Sequence, residues 1–283
     1  MRHIKFNLPR DHNLFLFGDD HEGSVLRYDA GWNKLLDMMN SEFEGCDANY
    51  GWHHGDPMEA ITIDDPRYDL ETTKDPIPLK QVDAVIKNLL PIKSQLLGMN
   101  EGNHTRKLWR FGNLTQKICL ELGIMYGTWT AKLLIHDKKG RLMYRSFHTH
   151  GKKSIHSAAE PLDRRITNMK IILQRHLRDK MGDTILMCKG HVHKLLVLEP
   201  QSPLYLSGER SVKQKYVDCS IDARAPYIHP DHRWYVCTGS FLKMYEEGLN
   251  GYAEMAEYDP IELGFAVVII RNGKMITVKR IVV

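Results

Sequence analysis

Five short polar clusters in the chain set aspartate, asparagine and histidine beside glycine: Gly18-Asp19-Asp20-His21, Gly55-Asp56, Gly102-Asn103-His104, His148-Thr149-His150-Gly151 and Gly190-His191-Val192-His193. Carboxylate oxygen, amide oxygen and imidazole nitrogen, with no thiolate among them, suit borderline divalent ions such as Mn, Fe, Zn or Ni. The absence of sulfur argues against a structural zinc knuckle. In Asp19-x-His21 and His191-x-His193, residues two apart project to the same side of an extended backbone, so one loop reaches one ion twice or two adjacent ions once each. Two ions roughly 3.5–4 Å apart need a shared anionic bridge, and Asp56, alone in its cluster, is the natural candidate.

Each cluster follows an apolar run, which says what must position it. "NLFLF" (13–17), "NYGWHH" (49–54), "SQLLGM" (94–99), "RLMYRSF" (141–147) and "DTILMCK" (183–189) read as strands. Functional groups gather at the carboxyl ends of strands in open α/β sheets, and glycine lets the backbone turn sharply there. Helical periodicity marks residues 32–43, 79–90 and 163–180. The proline- and acid-rich stretch 61–78 predicts an irregular excursion, and Asn272-Gly273 between two β-branched runs predicts a hairpin over 265–281. Strands alternating with helices, with β-rich structure late, give an α/β fold. Residues 199–232 show no clear period.

The 283 residues suffice for a substantial core, and 42% hydrophobic with 26% charged residues is an ordinary globular composition. No apolar stretch reaches the roughly 18–20 residues of a membrane span, and the N-terminus lacks the apolar core of a secretory signal. A cytoplasmic protein without a membrane partner is the expectation. Five widely spaced cysteines (Cys46, Cys119, Cys188, Cys219, Cys237) without a CxxC pair read as small buried apolar residues. The net charge of +4 permits a phosphorylated substrate without demanding nucleic acid.

In order and separation, GDDH (18–21), GD (55–56), GNH (102–104), HG (150–151) and GHVH (190–193) resemble the motifs of the calcineurin-like metallophosphoesterase family across about two thirds of the chain. Some phrasing is similar to phage and bacterial members near the DNA-repair nuclease branch. The resemblance implies one domain over residues 1–283, a four-layer α/β/β/α sandwich, with a two-metal centre at the carboxyl ends of the strands. It implies Asp19, His21, Asp56 and His193 on one ion and Asp56, Asn103, His150 and His191 on the other. Manganese is the first expectation for both, with Fe, Zn or Ni as alternatives. A hydroxide between the ions would attack phosphorus in line, and His104 would protonate the leaving oxygen. The implied activity is metal-dependent phosphoester hydrolysis leaning to phosphodiesters such as DNA or RNA. A small-molecule phosphatase or cyclic-nucleotide phosphodiesterase is the alternative, and a scaffold that lost the chemistry is a third reading. No oligomeric state is implied.

The chain also departs from the family pattern. Thr105 stands where the family places an acid that orients the GNH histidine, which leaves Glu101 or another carboxylate for that task. Glu59 is the nearest carboxylate beyond Asp56. At the fourth motif His150 is preferred because Gly151 follows it, with His148 behind it. His53 and His54 read as core or supporting groups, Glu22 as an exposed loop carboxylate, and His229 and His232 as solvated. Arg106 and Lys152 are the candidate substrate-binding cations, weighed evenly against ordinary solvated charges. Trp52, Trp109 and Trp234 could stack on a base, although packing is the commoner role.

Overall fold

The structure is a computed structural model that describes residues 1–208, 210–218 and 222–283. Cys219 lies outside the described residues. The elements are β1 (Arg2–Asn7), β2 (His12–Phe17), α1 (Asp29–Met39), β3 (Asn49–His53), α2 (Pro78–Leu89), β4 (Leu96–Met99), α3 (Asn103–Lys107), α4 (Leu114–Leu122), β5 (Met125–Tyr126), β6 (Thr130–His136) and β7 (Leu142–Thr149). They continue with α5 (Leu162–Leu177), β8 (Leu186–Lys189), β9 (Leu195–Leu198), β10 (Leu204–Ser207), β11 (Lys213–Tyr216), β12 (Trp234–Thr238), α6 (Tyr252–Met255), β13 (Gly264–Arg271) and β14 (Lys274–Val282).

The fold is mixed α/β with two six-stranded sheets, in the orders β14-β13-β2-β3-β4-β5 and β1-β6-β7-β8-β12-β9, and a separate β10-β11 pair. In the first sheet β2, β3 and β4 are parallel neighbours, and in the second β7 and β8 are. Every residue of β2 is buried, as expected of a strand covered on both faces. Its alternation sorts two cores. Phe15 and Phe17 pack with Trp32 and Leu35 of α1, Val82 and Val85 of α2 and Ile118 of α4. Leu14 and Leu16 face the opposite way and meet Leu133, Leu186 and Val236 of the second sheet. The far side of that sheet, through Phe147, Met187 and Tyr235, packs against Leu173 and Leu177 of α5.

β13 and β14 form the antiparallel pair, with Asn272 and Gly273 at φ 53° and 74°. Both central residues in the left-handed region match the twist of the strands they join. Residues 61–77 hold no helix or strand, and backbone hydrogen bonds from Val25 to Thr72 and from Lys74 to Gly23 pin the segment. The helix expected over 32–43 runs from Asp29 to Met39, because the chain turns back where Phe43 bridges Cys46. β10 and β11 occupy the unassigned region, and all their residues but Ser207 are exposed, so no buried face imposed a period there. Cys119, Cys188 and Cys237 are buried and Cys46 partly so, all as free thiols. Among the described residues no helix is long and apolar enough to cross a membrane.

Candidate metal centre

The carboxyl ends of β2, β3 and β4 in one sheet and of β7 and β8 in the other deliver the five polar clusters to one place. The corners are tight. Asp19, His21, Asp56, His191 and His193 have φ of 52°, 49°, 50°, 73° and 50°. Side-chained residues rarely adopt this left-handed region, and they persist in it only where their surroundings over-determine them. Here the surroundings are each other. The Asp19 and His21 amides donate to the Gly55 and Asp56 carbonyls at 3.0 and 3.2 Å. Asp19 Oδ2 accepts from the His191 amide, and Asp56 Oδ1 from the His104 amide, both at 2.9 Å. A Cβ on Gly102 would lie 2.0 Å from Asp56 Oδ1 and 2.3 Å from the Asp56 amide nitrogen, so only glycine admits this approach.

Two groups of donors built on an aspartate result. Asp19, His21 and His193 form one, and Asp56, His150 and His191 the other; within each, one ligand atom per residue lies within 4.8 Å of the rest. Asn103 joins the second, with its Oδ1 2.8 Å from His150 Nε2. His150 Nδ1 donates to the His54 carbonyl at 2.8 Å, which leaves Nε2 as a lone pair facing Asp56 Oδ2 at 3.1 Å as well as Asn103. His21 Nδ1 faces Glu59 Oε2 at 2.5 Å, and its Nε2 points at His193 Nε2, 3.2 Å away. Hydrogen bonds behind each ring thus fix the tautomer that aims a lone pair inward. Asp19 Oδ1, fully buried, has no hydrogen-bond partner among the described residues; His193 Nε2 is 3.5 Å from it. Acceptors converging on acceptors, with one orphaned carboxylate oxygen, have the chemistry of a cation's donor set. These residues could hold metal ions.

Burial and the neighbouring charges set the protonation of these groups. Burial pulls the His21 pKa down, but Glu59, Asp56 and Asp19 outweigh it and raise it to about 9. Burial also opposes a charged His150, and Asp56 overcomes it. For His191, burial with the neighbouring His150 outweighs Asp19 and Asp56 and lowers it to about 4. Asp19 and Asp56 lie below the usual carboxylate range despite burial, held there by His193 and His150 respectively.

The structure brings together Asp19, His21, Asp56, Asn103, His150, His191 and His193. His104 stands at their edge, its ring 4.5 Å from that of His21 and its Nδ1 2.5 Å from the Glu59 carbonyl. It lines a cleft of about 490 Å³ together with Asp56, Asn103, His191 and His193. Burial lowers its pKa. His148 lies deeper, in a buried chain in which His54 Nε2 meets its Nδ1 at 3.0 Å and Ser146 Oγ its Nε2 at 2.8 Å.

Several sequence expectations need correction. Glu101 does not orient His104: its Oε1 accepts from Trp109 Nε1 at 2.9 Å and its Oε2 from the Tyr126 hydroxyl. The Glu59 main-chain carbonyl orients His104 instead, while the Glu59 carboxylate holds His21. Its one sequence signal was position, three residues beyond Asp56. Glu22 is buried rather than exposed, 3.0 Å from Arg27 and accepting from Asn88 at 2.6 Å. Arg106 and Lys152 are exposed and do not line the cleft; Arg67, Lys107 and Lys194 do. The reason at α3 is angular. Arg106 is two residues past His104 and stacks its guanidinium 3.3 Å over Trp109, whereas Lys107, three past, shares the His104 face. His53 and His54 are buried, His53 paired with Asp20 at 2.6 Å, and the His229 and His232 rings lie 5.4 Å apart, tilted at 53°. Trp52 is core, and its indole donates to Asn100 at 2.8 Å.

The chain matches no protein-family model, and no curated protein is significantly similar to it.

Proposed function

We propose that the chain is a calcineurin-like metallophosphoesterase, a four-layer α/β/β/α sandwich that hydrolyses phosphate esters with two divalent ions, leaning to phosphodiesters such as DNA or RNA. The single observation that carries this is the pair of inward-facing acceptor groups, with Asp56 in contact with His150 and within electrostatic reach of His21. Asp19, His21, Asp56 and His193 would hold one ion, and Asp56, Asn103, His150 and His191 the other. Ions bound there would supply a hydroxide nucleophile at neutral pH and offset charge on the phosphoryl oxygens.

The protein's own groups do the rest. Asp56, accepting from the His104 amide, ties the leaving-group side of the cleft to the centre. His104 keeps a proton on Nδ1 for the Glu59 carbonyl, so the second proton it takes goes to Nε2. An anionic phosphate added to Asp56 and Glu59 favours that imidazolium, which can then protonate the departing oxygen. A cleft of about 490 Å³ is in the usual size range for small-ligand pockets. That favours, as the second reading, a small-molecule phosphatase or cyclic-nucleotide phosphodiesterase.

Metal analysis of the purified protein, with manganese-stimulated hydrolysis of bis(p-nitrophenyl) phosphate, p-nitrophenyl phosphate, a cyclic nucleotide and single-stranded DNA, tests the proposal. Two equivalents of transition metal and faster turnover of diesters than of the monoester are expected. A protein without bound metal and without manganese-dependent turnover would instead be the scaffold.

A further inference from the structure

We infer that Arg67 and Lys107 form a subsite for a second phosphate, so that the ester this centre takes carries another phosphate close to the scissile one. The inference rests on the phosphoesterase reading above and names the substrate class of the same site.

Both residues line the cleft that holds Asp56, Asn103 and His104. Arg67 comes from the irregular segment 61–77, which is rich in acidic residues. Asp65 grips Arg67 as a fork, with Nε to Oδ1 at 3.0 Å and Nη2 to Oδ2 at 2.8 Å, so the guanidinium is held rather than mobile. The Arg67 amide also donates to Asp65 Oδ1 at 3.0 Å, which closes the turn beneath it. Asp64, next in the segment, pairs with Arg110 at 3.4 Å and fastens it to the chain just beyond α3.

Lys107 arrives from the other direction. It ends α3, four residues after Asn103, which puts it roughly 6 Å along the helix axis from that donor at 1.5 Å rise per residue. Among the described residues it makes no ion pair. Its ammonium is disfavoured first by burial and next by the Arg67 charge, ahead of any help from Asp65 or Asp56. Two cations lining one cleft within electrostatic reach of each other repel, and an anion lodged between them relieves the repulsion and gains charge-assisted hydrogen bonds. The scissile phosphate does not fill this role, since it belongs at the donors around Asp56. A second phosphate, attached a few bonds away, does. A free nucleoside bisphosphate and the end of a nucleic-acid strand share this chemistry.

The test is a binding ratio, read by titration calorimetry on manganese-loaded protein with thymidine 3′,5′-bisphosphate and thymidine 5′-monophosphate, which differ by one phosphate. Wild type is expected to bind the bisphosphate about tenfold or more tightly, and Lys107→Ala and Arg67→Ala to bring the two affinities to within about twofold. A ratio of the two ligands cancels general damage to either variant. Equal affinities in wild type, or a preference that survives both substitutions, overturns the subsite. A preference intact in a protein that hydrolyses no phosphoester keeps the subsite and removes the phosphoesterase reading; turnover without preference does the reverse. A 5′-phosphorylated octathymidylate in a parallel titration separates the sources, with tighter binding than the bisphosphate assigning a strand end and weaker binding a free bisphosphate.

Discussion

Asp56 accepts a hydrogen bond from the His104 amide at one oxygen and faces His150 Nε2 at the other, with His21 and His104 both within its electrostatic reach. One buried charge therefore lies within electrostatic reach of both donor groups. Asp56→Asn keeps the shape and the acceptor for the His104 amide but removes the charge, so metal content by mass spectrometry is expected to fall well below two equivalents. His104→Ala makes the contrasting case. Its ring belongs to neither donor group of Asp19 or Asp56, so metal content should stay near wild type while turnover falls roughly 10²–10⁴-fold, the usual cost of losing a general acid. The loss should be largest on esters with poor leaving groups. Equal losses of metal in both variants would show that His104 is a ligand and not an acid.

The corners between strands and loops decide how closely these side chains meet. Gly102 is the tightest, for it sits in extended backbone at φ −114°, where alanine is conformationally acceptable, and yet a Cβ would strike the Asp56 main chain and carboxylate. Gly102→Ala thus tests close approach alone. Its expected cost is about 1–3 kcal/mol from overpacking, seen as a lower melting temperature, with metal content reduced because Asp56 must move. Such corners are where the sequence was most legible. An apolar run followed by Asp, Asn or His beside glycine signals a strand end carrying donors, and it marked β2, β3, β4, β7 and β8. Less legible was whatever acts through the main chain or through an angle. The Glu59 carbonyl leaves no side-chain signature, and Arg106 cannot be told from Lys107 until the pitch of α3 is known. β1, β6, β9 and β12 also escaped notice, because no chemistry follows them and their short runs carry no period distinct from a buried helix.

At the scale of the whole molecule, the donors are divided between the two sheets. Asp19, His21, Asp56 and Asn103 follow strands of the first sheet, and His150, His191 and His193 follow strands of the second. Metal bound between them would tie the sheets together at the carboxyl ends of these strands and stabilise the native state by RT ln(1 + [L]/Kd), about 2.7 kcal/mol per ion at a hundredfold excess over Kd. Chelation should accordingly lower the melting temperature by about 5–10 °C per ion, at roughly 2–4 °C per kcal/mol for a chain of this order of size. The pH dependence of that loss follows from the protons that replace the metal. In the chelated protein His21, raised to about 9, and His150, also raised, bind protons more tightly folded than unfolded. Their contribution is complete below the unfolded histidine value near 6.5 and disappears as pH rises through the folded value. Stability of the chelated protein should therefore decline between about pH 6.5 and 9. The manganese-loaded protein should show no such decline, because its ligands are already deprotonated and higher pH only removes competition for the metal. Melting curves at a series of pH values, with and without chelator, check this directly. Parallel pH profiles in the two states would mean that the inward-facing histidines are not the groups metal displaces protons from.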